Sequence, residues 1–486
     1  MQRTIHTSLF ITLLTASSIF CQTNISIKTY DIGALFIEGI NATSTERQKE
    51  IISQVMSQSS IENKGMEALV NLFHTLHTSY SPMEYHHSDI VQFDKPSGTV
   101  YVMHVFTKKK GETKWLDFQM YVDAPPIHKI KNLAFIAEVS EPVNLPNGTI
   151  QQKETLEWLN NYISKLNNEF DLSGSILIAQ GEQILFERYW GYADSEKTRP
   201  IDASSLFNIA SGGKMFTALS IAKLVQGNKL NYNDQITEYI DEFSDPTKAD
   251  KILIHNLLSH TSGLTHHWWG QKSEASEKSK TVKDDLKMII EGGFQAAAGT
   301  AYEYNNSNYI LLGAVIEKIT GKDYYTFVAE NIFVPANMKS SGYFNHGTEK
   351  TVAPLVRAEQ SDKWIRVENE AVKGSAAGGA YSNARDMLKF SRALRNNLIV
   401  SKETFQNMVA VKNKGMDVSE DYGYGFIIEK SGPEITYGHG GTAKGVNFEF
   451  RYFPNQDITL VVFCNQDNGA YDDLKRNAIK LISGDR

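Results

Sequence analysis

The spacing of hydrophobic positions changes along the first part of this chain, and the change predicts two kinds of structure. Apolar residues recur every three or four positions at Ile51–Met56 and again at Met66–Leu76, which predicts two helices. Alternating patterns then predict strands at Thr99–Phe106, Lys114–Val122 and Lys131–Glu138. Helices followed by a run of antiparallel strands are typical of a small α+β domain.

Beyond a turn-rich segment at Val143–Gly148, the pattern predicts a second and larger group of elements. A helix is expected around Leu156–Leu166, followed by a hairpin that turns at Gln180–Gln183. A further helix is expected to begin at Ser211, because apolar residues recur at helical spacing until a natural stop at Gly227. The last expected elements are two long strands and a closing helix, at Val446–Phe453, Ile458–Cys464 and Asp472–Ile482.

The first residues carry the pattern of a secretory signal. Residues 1–22 begin with a positive charge and continue with an apolar run, Leu9–Phe20, that is too short to span a bilayer. Cys21 raises the question of lipidation, but Ser18–Phe20 is a poor match to the small residues expected before a lipidated cysteine. We therefore expect cleavage near Cys21, no stable membrane anchor, and a periplasmic or secreted protein.

Length and composition support a signal segment and two domains, at residues 1–22, 23–147 and 155–486. The chain of 486 residues is long enough to bury two substantial cores, and its 41% hydrophobic and 22% charged residues are ordinary for a globular protein. The net charge of -7 is modest and no basic patch interleaved with aromatic residues stands out, so nucleic acid is not an expected partner. Cys464 is the only cysteine after Cys21, so no internal disulfide is expected.

Chemistry concentrates first at Ser211–Lys214, where a helix is expected to begin. Lys214 lies three residues after Ser211, about one helical turn, so its ammonium group is expected beside the Ser211 hydroxyl at the positive end of the helix dipole. A serine is a weak nucleophile that an adjacent base activates. However, Ser220 and Lys223 have the same spacing, and a serine at the start of a helix is usually only a cap.

Other polar side chains lie next to predicted elements. Tyr304–Asn306 is in the turn before an amphipathic helix, where side chains can project into a cleft. His260 lies in a loop rich in hydroxyl groups; it could act as a general base, but we favour a structural histidine that fixes the loop by hydrogen bonds. The adjacent His86 and His87 have no third ligand at a diagnostic spacing, so no metal site is expected.

Three of these motifs, taken in order, resemble those of a known enzyme family. Ser211–Lys214, Tyr304–Asn306 and His439–Gly441 resemble the signature motifs of the class C β-lactamase and DD-peptidase family of serine hydrolases. The loop Leu258–Leu264 and the segment Gly378–Ser382, whose glycines indicate close backbone approach, are also similar to that family. The resemblance covers nearly the whole second domain. It implies an α+β fold with two lobes, in which an antiparallel sheet flanked by helices meets an all-helical lobe at a cleft.

The resemblance also implies a role for each site residue. Ser211 would be the nucleophile that forms an acyl-enzyme, and Lys214 would help to deprotonate it. Tyr304 would transfer protons to the leaving group and later activate water, while Asn306 would orient the substrate amide and the lysine. The backbone N–H groups of Ser211 and Thr442 would form the oxyanion hole. No cofactor is implied.

His439, Gly440 and Gly441 would line the bound substrate, and here the chain departs from many β-lactamases of the family. Those enzymes have lysine, threonine and glycine at these positions, and a lysine is a permanent cation that can hold a substrate carboxylate. A histidine is only partly charged near neutral pH. This difference weakens the case for efficient β-lactam turnover. Family members with a histidine here are often esterases, peptidases or amidases that act on D-amino acid substrates, so the resemblance implies an esterase or a D-amino-acid peptidase or amidase that acts on a small molecule or peptide. The alternative is a β-lactamase, or a penicillin-binding or sensor protein that is acylated but turns over slowly.

The block at residues 23–147 resembles the ketosteroid-isomerase-like cone that is sometimes fused ahead of exported serine hydrolases. This resemblance rests on the order of the elements and on Pro126–Ile130. Nothing in the block forms a convincing set of acid and base groups, so we expect it to have a structural or partner-binding role. The sequence leaves the oligomeric state open.

Overall fold

The computed structural model of the chain describes residues 30–484, with short gaps. The gaps are at residues 96–97, 113–114, 126–127, 140, 241–242, 244, 267–281, 346–350, 359–362, 368–372, 417–419, 432–433 and 467–468. The expected signal at residues 1–22, with Cys21, and the residues Pro126 and Ile127 therefore lie outside the described part of the chain. Among the helices that are described, none is both long enough and apolar enough to cross a membrane.

The first part of the described chain packs helices against a four-stranded antiparallel sheet whose strands follow chain order. Its elements are α1 (Tyr30–Asn41), α2 (Thr45–Val55), α3 (Gln58–Lys64), α4 (Met66–Tyr80), β1 (Met83–Lys95), β2 (Gly98–Lys109), β3 (Trp115–Val122) and β4 (Ile130–Val139). The shared core includes Phe36, whose ring meets those of Phe73 and Phe118 edge-on at centroid distances of 5.4 and 5.8 Å.

The predicted elements of this part are confirmed, and three others were not predicted. The two helices are α2 and α4, and the three strands are β2, β3 and β4. The sequence pattern did not reveal α1, which is apolar on most sides, the short α3, or β1, which carries mostly polar residues. Periodicity identifies an element only when apolar and polar positions alternate clearly.

The second part of the described chain contains shorter strands and one large sheet. Its strands are β5 (Gly174–Gln180), β6 (Gln183–Trp190), β7 (Phe207–Asn208), β8 (Leu355–Arg357), β9 (Trp364–Arg366), β10 (Tyr381–Ser382), β11 (Asp421–Tyr422), β12 (Ile427–Ser431), β13 (Glu434–Ala443), β14 (Val446–Phe453) and β15 (Ile458–Cys464). Seven of these described strands form one antiparallel sheet in the order β11-β12-β13-β14-β15-β5-β6. Because β5 pairs with β15, with Gly174 opposite Cys464, the beginning and end of this part meet in the same sheet. The predicted hairpin is β5–β6, and the two long predicted strands are β14 and β15.

Helices cover both faces of this sheet. The described α-helices of this part of the chain are α5 (Lys153–Phe170), α6 (Lys214–Gln226), α7 (Pro246–Ala249), α8 (Ile254–Leu258), α9 (Val282–Gly292), α10 (Asn306–Thr320), α11 (Tyr324–Val328), α12 (Ala384–Arg395), α13 (Lys402–Met408) and α14 (Ala470–Ser483). Neighbouring residues of β5 point to opposite faces, so Leu177 packs with α6, α10 and α12, whereas Ile178 packs with α5 and α14. Val143 and Leu145 of the predicted linker pack against the hydrophobic core that Ile178 shares with α5 and α14.

A short 3-10 turn at Ala210–Gly213 carries Ser211 into α6. The sequence pattern predicted a helix from Ser211, but the α-helix begins at Lys214, because the turn before it is wound more tightly. Ala210 has a φ of 42°, which is uncommon for a residue with a side chain. Below the turn, a Cβ added at Gly212 would lie 2.3 Å from the Phe448 ring of β14. The serine is therefore held where α6 meets the sheet.

The side chain of Phe216 is the basis of a stability prediction. It lies fully buried in α6, and its ring meets Phe333 and Phe390 edge-on at 5.0 and 5.1 Å. We expect Phe216→Ala to lower the free energy of unfolding by about 3 to 5 kcal/mol, because it leaves a cavity beside the rings of Phe333 and Phe390. Urea denaturation monitored by circular dichroism measures the change. The control is Val334→Ala, at a side chain 72% exposed, which should change the value by less than about 0.5 kcal/mol; equal effects would contradict the prediction.

Candidate active site

The amine of Lys214 lies at the centre of a cluster of oxygen atoms. Its Nζ is 3.1 Å from Ser211 Oγ, 2.7 Å from Asn306 Oδ1 and 2.6 Å from the carbonyl oxygen of Ala377. The side chain is fully buried. None of these three contacting oxygens carries a formal charge, so the ammonium form has no ion-pair partner among them.

Burial lowers the pKa of Lys214 to about 7, and the negative charge of Glu420 opposes this change. The neutral amine is therefore well populated near neutral pH. It has two N–H groups and one lone pair. If the N–H groups donate to Asn306 Oδ1 and the Ala377 carbonyl, the lone pair is left for the hydroxyl proton of Ser211. The arrangement can therefore remove a proton from the serine.

Tyr304 brings a second hydroxyl group to this cluster. Its ring lies 4.8 Å from Lys214 Nζ, and its hydroxyl oxygen is buried without a hydrogen bond to a described group. Burial raises the pKa of Tyr304 well above its usual value, and the nearby Ser211 hydroxyl opposes the rise. Tyr304 is thus a neutral phenol at physiological pH, with a proton that it can donate.

The start of α10 positions Asn306. Asn305 is the N-cap of this helix: its side chain accepts a hydrogen bond from the N–H of Ser307 at 2.9 Å and donates one to the carbonyl of Leu264 at 2.8 Å. These two bonds fix Asn306 as the first residue of the helix. Its amide oxygen can therefore reach Lys214 across the cleft.

His260 holds the segment before α10 in place. Its Nδ1 accepts a hydrogen bond from the N–H of Asn305 at 3.1 Å, and its carbonyl oxygen accepts one from the N–H of Glu303 at 2.9 Å. Its ring centroid lies 4.3 Å from that of Tyr304. Burial, and then the charge of Lys214, lower the pKa of His260 well below its usual value. These contacts fit a structural histidine rather than a general base.

Glycines allow two backbone segments to approach the serine closely. A Cβ added at Gly441 of β13 would lie 2.2 Å from the carbonyl oxygen of Ile209 and 3.1 Å from the nitrogen of Ser211. One added at Gly378, whose φ is 149°, would lie 3.2 Å from the same nitrogen. The close approach predicted from the glycines at 378–379 is therefore confirmed. Gly440 and the exposed Thr442 flank Gly441 on β13, beside the turn that carries Ser211.

The sequence-based expectation that His439 is partly charged near neutral pH is wrong. The ring is buried, and burial followed by the charge of Lys214 lowers its pKa to about 3. Its Nδ1 lies 2.5 Å from the carbonyl oxygen of Gly440, which can only accept, so Nδ1 carries the proton. Its Nε2 then accepts a hydrogen bond from the Tyr422 hydroxyl at 2.9 Å. Both nitrogens are engaged within the protein, and the ring offers no charge to a substrate carboxylate.

Sequence reasoning missed the segment that contributes Glu420 and Tyr422. Tyr422 is fully buried, and its ring meets the rings of His439 and His260 edge-on. Tyr302, also missed, donates a hydrogen bond to Glu420 Oε1 at 2.8 Å. The available sequence signal was the repeat of tyrosine and glycine at 422–425, which marks a tight turn beside an aromatic cluster.

Other candidate motifs lie apart from the cluster or do not form a site. The hydroxyl of Ser220 donates to the carbonyl of Phe216, and Lys223 reaches the carbonyl of Ile399 instead of Ser220. The Nδ1 atoms of His86 and His87 are 2.6 Å apart. Across the described residues, no group of three or more side chains of the types that commonly bind metals is close enough together to hold an ion.

Comparison with known proteins assigns the second part of the chain to a protein family. The profile of the family described as Beta-lactamase matches residues 164–483, more than half of the chain. The chain belongs to the beta-lactamase family. It is accordingly a serine hydrolase, and the expected α+β fold with two lobes is confirmed.

Several known proteins are similar to this beta-lactamase family member in sequence or in structure. Penicillin-binding protein 4* of Bacillus subtilis (strain 168) is 27% identical over 328 residues, which cover 63% of this chain and 71% of the relative. A D-aminopeptidase of Cereibacter sphaeroides is 25% identical over 328 residues, which cover 65% of this chain and 61% of the relative. The crystal structure of a penicillin binding protein from Bacillus halodurans has a TM-score of 0.59 and 29% identity, and covers 66% of this chain and 98% of that one.

The pKa of Lys214 predicts how the reactivity of Ser211 depends on pH. Because only the neutral amine can accept the serine proton, labelling of Ser211 by a fluorophosphonate should rise with pH and level off above about 7. Below about pH 6 the rate should fall about tenfold for each pH unit. Lys214→Met should remove the response, whereas Lys223→Met, the matched lysine of the same helix, should keep it. A rate that is flat between pH 5 and 8 would contradict the prediction.

Proposed function

We propose that this family member is an exported hydrolase that cleaves amide or ester bonds of D-amino-acid substrates through an acyl-enzyme on Ser211. The observation that carries the proposal is the buried Lys214 amine, which lies 3.1 Å from Ser211 Oγ and has a pKa of about 7. A base with a pKa near the working pH is well suited to proton transfer. The pattern at residues 1–22 supports export.

In the proposed mechanism, Lys214 takes the hydroxyl proton as Ser211 Oγ attacks the substrate carbonyl carbon. The N–H groups of Ser211 and Thr442 stabilise the oxyanion of the tetrahedral intermediate; losing one such donor typically costs about 2.7 to 4 kcal/mol. Tyr304 protonates the leaving group, which departs and leaves the acyl-enzyme. Asn306 holds both the substrate amide and the lysine. The same groups then activate a water molecule, which releases the acid and restores Ser211.

The substrate class rests on two observations. The D-aminopeptidase relative supports a D-amino-acid peptidase or amidase that acts on a small molecule or peptide. The neutral His439 supplies no cation for a substrate carboxylate, which makes efficient β-lactam turnover less favourable. The penicillin-binding relatives support the alternative, a protein that is acylated by a β-lactam and turns over slowly.

Intact-protein mass spectrometry beside a colour assay tests this function. We expect D-alanine p-nitroanilide to be hydrolysed in preference to its L-enantiomer, and Ser211→Ala to lower kcat by about 10⁴-fold or more. Ser220→Ala, at the alternative motif in the same helix, is the matched control and should retain full activity. A stable Ser211-dependent adduct with penicillin, and no release of p-nitroaniline, would favour the penicillin-binding alternative instead.

A further inference from the structure

A chain of buried hydroxyl groups ends at the segment that contacts Lys214. Thr217 Oγ1 donates a hydrogen bond to the carbonyl oxygen of Ala376 at 2.7 Å and lies 2.6 Å from the hydroxyl of Tyr324. That hydroxyl lies 2.9 Å from the hydroxyl of Tyr343. All three hydroxyl-bearing side chains are buried. None of them takes part in the proposed mechanism.

The carbonyl at the end of this chain fixes the direction of its hydrogen bonds. A carbonyl oxygen can only accept, so the Thr217 hydroxyl gives its one proton to Ala376. The Thr217 oxygen then accepts from Tyr324, whose oxygen accepts from Tyr343. Burial raises the pKa of both tyrosines, so each keeps the proton that it donates. Each group polarises the next, and the Ala376 carbonyl is therefore held by a directed network.

The next residue of the same segment contacts the amine. The carbonyl oxygen of Ala377 lies 2.6 Å from Lys214 Nζ. Lys214 and Thr217 are three residues apart on α6, so one turn of this helix presents the amine to Ala377 and the hydroxyl to Ala376. Because Ala376 and Ala377 are joined by a peptide bond, a displacement of the first would move the carbonyl of the second. The hydroxyl chain thus fixes a group that orients the amine.

Helix α10 packs against the same segment. A Cβ added at Gly313 of α10 would lie 2.6 Å from Ala376 Cβ. The N–H of Tyr324 donates a hydrogen bond to Glu317 Oε1 of α10 at 2.9 Å, which ties the tyrosine to this helix. The helix also begins with Asn306, the second acceptor of the amine. Both acceptors of the amine are therefore placed by α10 and its contacts.

We propose that Thr217 and Tyr324 are positioning residues that hold the carbonyl of Ala377 against the amine of Lys214. The inference rests on the proposed function, in which Lys214 takes the proton of Ser211. With the carbonyl in place, one N–H of the neutral amine is bound there and the lone pair can face the serine. Without it, the amine can rotate and water can reach it. Proton transfer then slows, and the pKa of Lys214 rises because burial is the main cause of its low value.

Two substitutions at position 217 separate the hydroxyl from the rest of the side chain. Thr217→Val keeps the shape but removes the hydroxyl. We expect the rate constant for labelling of Ser211 at saturating fluorophosphonate, kinact, to fall about 3- to 10-fold on its pH plateau, the factor for one neutral hydrogen bond, with KI unchanged. Thr217→Ser keeps the hydroxyl and should retain kinact. Ser220→Ala removes a buried hydroxyl that bonds within the same helix and is the matched control, with kinact retained.

The pH dependence distinguishes a positioning role from a purely structural one. In Thr217→Val, the pH at half of the labelling plateau should rise from about 7 towards 10.5, the ordinary value for lysine, because water reaches the amine. A loss of folded protein alone would lower the labelled fraction but leave this midpoint unchanged. Tyr324→Phe removes the next hydroxyl and should change kinact and the midpoint in the same directions, by less. It decides the question if circular dichroism shows that Thr217→Val is unfolded.

The outcomes separate this inference from the proposed function. If folded Thr217→Val keeps the wild-type kinact and midpoint, or if Thr217→Ser is slowed as much as Thr217→Val, the inference is overturned. The proposed function still stands in that case, provided that Lys214→Met loses the pH response. If Ser211 of the wild-type protein is not labelled, or if Lys214→Met keeps the pH response, both are overturned.

Discussion

The buried amine of Lys214 is the constraint on which the candidate site depends. A charged group inside a protein is strongly disfavoured, and here three uncharged oxygens from separate parts of the chain surround it. The unfolded chain holds this proton up to about pH 10.5, whereas the folded chain releases it near pH 7. The contribution of Lys214 to stability therefore becomes more favourable as the pH rises between these values. The same desolvation produces a base that is available at neutral pH.

Close packing of the backbone around Ser211 follows from that constraint. Water has to be kept away from the amine, and the strand and loop that exclude it pass next to the serine turn. Gly441 and Gly378 have no side chains, and an added Cβ at either position would meet backbone atoms of Ile209 or Ala210 at 2.2 to 2.4 Å. Glycine is required at both positions because a Cβ would lie too close to these backbone atoms. At Gly378 it is also required because the φ of 149° is a conformation that residues with side chains rarely adopt.

The histidines and tyrosines around the amine show how the site keeps its polar groups neutral. His439 and His260 each use Nδ1 in a bond with the backbone, His439 as donor and His260 as acceptor, so the two rings carry their protons on different nitrogens. Tyr304 and Tyr422 stay protonated because burial raises the pKa of each phenol. The candidate site thus combines many polar groups with few charges.

The sequence by itself determined the parts of this protein that depend on short-range spacing. One helical turn places Lys214 beside Ser211, and Tyr304–Asn306 precedes a periodic helix. Alternation marks β14, and a continuous apolar run marks β15. Only the tertiary structure decided the protonation of Lys214 and His439. The physical reason is that desolvation depends on what packs around a group, and residues 214, 306, 377 and 439 come together from distant parts of the chain.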